Sequence, residues 1–119
     1  MKMLKPNYVC SLELTMDVIG GKWKLMILWY LIDSTKRFSE LKRALPGITQ
    51  KMLTQQLREL EANGLVNRVV YPVVPPKVEY SLTPQGAELI PLLQLLCNWG
   101  DEYAKTHEIP LHDCQLADS

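Results

Sequence analysis

One ordered stretch, Ser39 to Leu82, constrains this chain more than any other. Pro46-Gly47 sits between two segments of helical character, and a helix cannot run through it because proline lacks the backbone donor and its ring clashes with the preceding turn. Before that turn, Ser39 is the cap candidate for a short helix from Glu40 to Leu45, with a carboxylate in the first turn where the helix dipole favours it. After it, Thr49 is the cap candidate for a helix over Gln50 to Asn63. Leu53, Leu57 and Leu60 share one face of that helix, and Gly64 stands where it should end. The pattern then changes to β-branched and aromatic residues over Leu65 to Tyr71 and again over Val78 to Leu82, with the proline-containing stretch Pro72 to Lys77 between them.

Helix, turn, capped helix and two strands joined by a loop outline a winged helix-turn-helix, a mainly α fold with a two-stranded β wing, α+β in class. The flanks read as helices too. Ser11 to Ile19 carries Leu12, Leu14, Met16, Val18 and Ile19; the alternation formally allows a strand, but Glu13, Met16 and the closing Gly20-Gly21 favour a short helix. Lys22 to Ile32 is apolar on most faces and should be the buried central helix. Thr83-Pro84 reads as cap plus first residue of a long helix to about Thr106, which Pro91 kinks or splits. His107 to Ser119 reads as a frayed tail. At 119 residues the chain is sized for one domain, 1–119, with the helix-turn-helix at about 39–63, the wing at about 65–82 and the C-terminal helix at about 84–106. Its longest apolar run, Leu25 to Ile32, is far short of the roughly 18 residues a membrane span needs. No membrane partner is expected, and with no signal-peptide pattern at the start a cytoplasmic location is.

In such a fold the second helix of the motif enters the major groove of duplex DNA. With Leu53, Leu57 and Leu60 turned inward, a 3.6-residue period turns Lys51, Gln55, Arg58 and Ala62 outward, flanked by Thr54, with Thr49 and Gln50 at the leading end. Arginine pairs bidentately with guanine, glutamine with adenine, and lysine or threonine reaches bases or phosphates. Glu59 and Glu61 fall in the second half of the helix, where readout contacts are fewer. Arg37, Lys42, Arg43 and Lys77 are candidates for phosphate contacts. A plainer reading is a solvated helix face with Arg58 paired to Glu61 three residues on; the position of the helix in the motif, rather than its composition, argues for DNA. Thirteen basic residues balance thirteen acidic ones, so positive potential must come from local clustering.

No nucleophile motif, carboxylate pair or glycine-rich phosphate loop is present, which points away from an enzyme: no catalytic residues and no cofactor are expected. Cys10, Cys97 and Cys114 lack paired spacing, so neither a disulfide framework nor a metal site is read from them. The competing function is a winged helix used as a protein–protein interaction module without sequence-specific DNA binding. Against it, a docking helix would carry apolar anchors where Lys51, Gln55 and Arg58 stand.

Several segments in order carry a resemblance: Asp17-Val-Ile-Gly-Gly-Lys-Trp23, Arg37-Phe-Ser-Glu-Leu41, Leu45-Pro-Gly-Ile-Thr-Gln-Lys-Met-Leu53, Leu57-Arg-Glu-Leu-Glu61, Tyr71-Pro-Val-Val-Pro-Pro-Lys-Val-Glu-Tyr80, Leu82-Thr-Pro84 and Trp99-Gly100. Over about 10–103 the chain resembles the HxlR family of bacterial transcriptional regulators, related in fold to MarR-type regulators. The resemblance implies a homodimer bound to operators near promoters, with an interface built from the first and last helices. Leu12 and the stripe Leu89, Leu92, Leu93, Leu96, Trp99 and Tyr103 are the interface candidates, widened by Ile90 and Leu95; a helix packed only on its own domain explains the main stripe equally well. Some members sense oxidants or electrophiles through a cysteine just before the first helix, where Cys10 stands, so a small-molecule electrophile is an implied partner. A thiol at a helix N-terminus has its thiolate favoured by the dipole, and Lys2 or Lys5 would add to that. The alternative for Cys10 is a small inert residue near the dimer seam. Cys97, inside the apolar stripe, reads as core, and Cys114 as either a resolving thiol or an exposed one.

Overall fold

The computed structural model describes residues 3–111. Cys114, His112 and Lys2 lie outside the described residues. Two helices, α1 (Ser11–Ile19) and α2 (Lys22–Tyr30), open the fold. The first is half-solvated and delivers only Ile19 to the core. The second packs against three of the later helices and buries Lys24, Ile27 and Leu28, leaving Lys22 and Met26 exposed. The short helix α3 (Phe38–Ala44) follows. It starts ahead of the expected Ser39 cap, because Arg37 N donates to Glu40 Oε1 at 2.8 Å and closes the first turn from the backbone side. Ser39 is therefore an exposed residue inside the helix rather than its cap.

Gly47, at φ +91°, makes the left-handed turn that a side chain would strain. The next helix, α4 (Gln50–Ala62), begins where the sequence places it: Thr49 Oγ1 accepts from Met52 N at 3.1 Å. Gly64, at φ +79°, ends its last turn and leads into β2 (Val66–Tyr71) and β3 (Lys77–Leu82). Both strands lie where the β-branched runs predict them. The wing gains a third strand, β1 (Lys36–Arg37), which pairs antiparallel with β3 through Lys36–Tyr80 and Arg37–Glu79. The sheet order is β1-β3-β2. β2 and β3 are in register through Val66–Leu82, Arg68–Tyr80 and Val70–Val78, so these pairs share the face that carries buried Val66 and Tyr80.

The long C-terminal helix is split, ahead of Pro91. Thr83 caps α5 (Pro84–Ala87), and α6 (Ile90–Thr106) starts afresh with Pro91 in its first turn, the position where its missing donor costs nothing. The core gathers between α2, α3, α4 and the sheet around Ile27, Leu28, Leu41, Leu45, Leu53, Leu57, Leu60 and Val66. Each such side chain contributes about 1.5–3 kcal/mol by leaving water. The three α4 leucines thereby fix which face of the helix is left for a ligand. Residues 107–111 are more ordered than a frayed tail: Ile109 N bonds Ala104 O at 2.8 Å, and the His107 ring stacks on Tyr103 at 4.1 Å.

Candidate nucleic-acid interface

Opposite the buried leucines, α4 exposes Lys51, Gln55 and Arg58, with Thr54 half-buried beside them. Together with Gln50 they line a shallow hollow of about 660 Å³ along the helix. Arg58 makes no ion pair with Glu61 or with any other described residue, so its guanidinium is available to a ligand. Glu59, in the second half of the helix, is also turned away from a ligand. It is buried, because Lys24 of α2 covers that side of the helix and bonds Oε1 at 2.7 Å. The readout face consequently carries one less negative charge than its sequence suggests.

A second groove of about 490 Å³ separates α4 from the sheet, with Gln50, Thr54 and Arg58 on one wall and Phe38, Tyr80 and Arg68 on the other. Arg68 is the residue that sequence reasoning missed. It lies two positions after buried Val66, on the same face of β2, and this is what turns it toward Arg58. Lys77 is less available than expected. Its ammonium bonds Glu79 at 3.2 Å and lies 5.1 Å from the Tyr71 ring centre, and this bond in turn holds the Glu79 carboxyl below its ordinary range. Lys42 and Arg43 are exposed in the last turn of α3, and Arg37 is exposed on the edge strand.

Exposed apolar residues gather on two other helices, α1 and α6. Leu12 and Met16 of α1 and Leu95, Leu96, Trp99 and Tyr103 of α6 are exposed, Trp99 at 67%. The rings of Trp99 and Tyr103 stack 5.1 Å apart. Leu92 is exposed as well. Leu93 is not among these residues: at 4% exposure it belongs to the chain's own core, and Leu89 packs half-buried against that core. A helix that is apolar on two faces serves two packings, and the stripe as predicted merged them.

Cys10 is the exposed N-cap of α1. The open N–H groups of Glu13 and then Leu12 favour its thiolate and lower the thiol below its ordinary value. Lys5 adds nothing to this, as its ammonium is engaged by Glu13 at 3.0 Å. Cys97 is half-buried and lines an apolar cleft of about 270 Å³ between α2 and α6, with Leu25, Met26, Trp29, Tyr30, Leu93 and Leu96.

The HxlR-like helix-turn-helix family matches residues 18–108. The HTH-type transcriptional regulator YkvN of Bacillus subtilis is 59% identical over 99 residues, covering 83% of this chain and 84% of that protein. Among solved structures, the redox regulator HypR in its oxidized form superposes with a TM-score of 0.76 at 56% identity over 78% of this chain and 96% of HypR. A MarR-family regulator from Porphyromonas gingivalis W83 gives a TM-score of 0.76 at 39% identity over 86% and 98% of the two chains.

Proposed function

The chain belongs to the HxlR family of helix-turn-helix transcriptional regulators, and from that premise we propose that it reads operator DNA as a cytoplasmic homodimer through Gln55 and Arg58 of α4. It is a DNA-binding regulator rather than a protein-docking module. One observation carries the assignment of residues: the polar face Gln50, Lys51, Thr54, Gln55 and Arg58 stands opposite Leu53, Leu57 and Leu60, with Arg68 across the groove. In this reading Arg58 and Gln55 meet base edges. Thr49, Gln50, Lys51 and Thr54, with Arg37, Lys42, Arg43, Lys77 and the added Arg68, hold phosphates and set register. The exposed apolar side chains of α1 and α6 are the surface we assign to pairing two chains, since large apolar residues such as Trp99, Leu95 and Leu12 left in water mark an interaction site. Two half-sites one helical turn of DNA apart would require the paired recognition helices to lie about 34 Å from each other.

Duplexes selected by the parent protein from a randomised pool test this. They should contain two half-sites, and Arg58→Ala or Gln55→Ala should lose about 1–3 kcal/mol of preference at one base each. Arg68→Ala should instead weaken all duplexes alike and flatten the dependence of log K on log salt by about 0.9. Equal selectivity of the α4 variants and the parent would remove the readout role.

HypR is a redox regulator, and we carry a thiol-sensing role to Cys10, the exposed cysteine at the N-terminus of α1. An electrophile that adds to its thiolate would sit at the start of α1, one of the two helices assigned to pairing. Because the thiol is lowered, the expected alkylation rate of Cys10 rises with pH and levels off earlier than that of an unstructured cysteine peptide. DNA affinity should change on treatment in the parent but not in Cys10→Ser. A Cys10→Ser protein that responds as the parent does would end this reading.

A further inference from the structure

Lys24 and Glu59 are the two charged side chains buried among the described residues, and they meet at 2.7 Å between α2 and α4. As a source of stability such a pair is a poor device. Two charges taken out of water recover little beyond their desolvation, and an apolar pair of similar size is often as stable or more so. The location of the pair suggests another purpose. Glu59 follows Gln55 by one helical turn, and Gln55 Nε2 lies 3.5 Å from Glu59 Oε2, while Lys24 holds Oε1.

We propose that Lys24 and Glu59 are positioning residues that fix the amide of Gln55 for reading adenine, an inference that rests on the DNA-readout function above. An ionised carboxylate only accepts, so the Gln55 group turned to it must be the NH₂ and not the oxygen. In the proposed arrangement the N–H trans to the amide oxygen is the one given to Glu59. The oxygen and the remaining N–H then share the outward edge, the acceptor and donor that adenine N6 and N7 require together. Lys24 holds the carboxylate in place through Oε1. Without the pair, Gln55 would regain its other rotamers and the flipped amide, and binding would have to order it each time.

The test uses full-length protein and the duplexes it selects from a randomised pool, scored at the base where Gln55→Ala loses its preference. The double variant Lys24→Met/Glu59→Leu keeps net charge and apolar packing. It should melt near the parent temperature and bind non-cognate duplex equally well. Its discrimination at that one base should fall about 2- to 12-fold, the worth of one immobilised side chain. Glu59→Gln, which can offer Gln55 either amide edge, should lose discrimination at the same base, and Lys24→Arg, which keeps the ion pair, should retain it. A double variant that discriminates as the parent does, or one that loses preference equally at every base, overturns the proposal while leaving DNA readout intact. A parent protein with no preferred duplex overturns both.

Discussion

Replacing Lys24 with methionine is expected to remove about 3–5 kcal/mol of stability, and replacing Glu59 with leucine a similar amount, while the two together return most of it. The side chains are 5% and 6% exposed, so neither survivor could turn to water once its partner is gone. What each single variant loses is therefore mainly the cost of an uncompensated buried charge and only secondarily the bond itself. Small domains are stable by only about 5–15 kcal/mol, so either single change takes a large share. Urea unfolding followed by circular dichroism, read as a double-mutant cycle, measures both statements. Single losses under about 1 kcal/mol, or a double variant whose loss is the sum of the two, would show that the pair is not the dry, mutually dependent contact that its geometry indicates.

That pair also shows where the sequence stops being readable. On a helical wheel anchored by Leu53, Leu57 and Leu60, Glu59 falls on the flank of α4, and nothing in α4 itself says that another helix covers it. The one available signal was Lys24, a cation standing between Trp23 and Leu25 in a helix whose other charged residue, Lys22, is at its exposed first position. Local patterns did carry the motif: the Thr49 cap, the three leucines and the Pro46-Gly47 turn depend on neighbours within about one or two turns, which periodicity captures. β1 was invisible because a two-residue strand of Lys36 and Arg37 has no alternation to detect. Arg68 was detectable in principle, since alternation from Val66 places it on the inner face. For a related reason the stripe alone leaves Leu93 open to either surface, and its burial places it in the core. Apolar periodicity reports that a face leaves water, but not whether the chain's own core or a second copy receives it.

Gly86→Ala is expected to destabilise by at least about 3 kcal/mol, the upper end of the cost of overpacking. In an ordinary helix the same change would gain up to about 1 kcal/mol, so the environment must reverse its sign. It does so because a Cβ at position 86 would lie 2.1 Å from Leu65 O and 3.1 Å from the Leu65 carbonyl carbon. Those are backbone atoms at the junction of α4 and β2, and they cannot swing aside as a flexible side chain would. Leu65 O is also held by Thr83 N at 3.1 Å, and Thr83 Oγ1 both accepts from Gly86 N at 2.9 Å and donates to Gly64 O. Relief of the clash would therefore have to separate α5 from the α4–β2 turn and strain three hydrogen bonds at once. Since this turn sets how the wing stands against the recognition helix, the distance between Arg68 and Arg58 would change with it. Affinity for every duplex should then fall while preference at the Gln55 and Arg58 bases survives in the folded fraction. A urea midpoint at or above that of the parent would contradict the close approach at Gly86. An unchanged affinity in a clearly destabilised protein would instead separate wing placement from DNA binding.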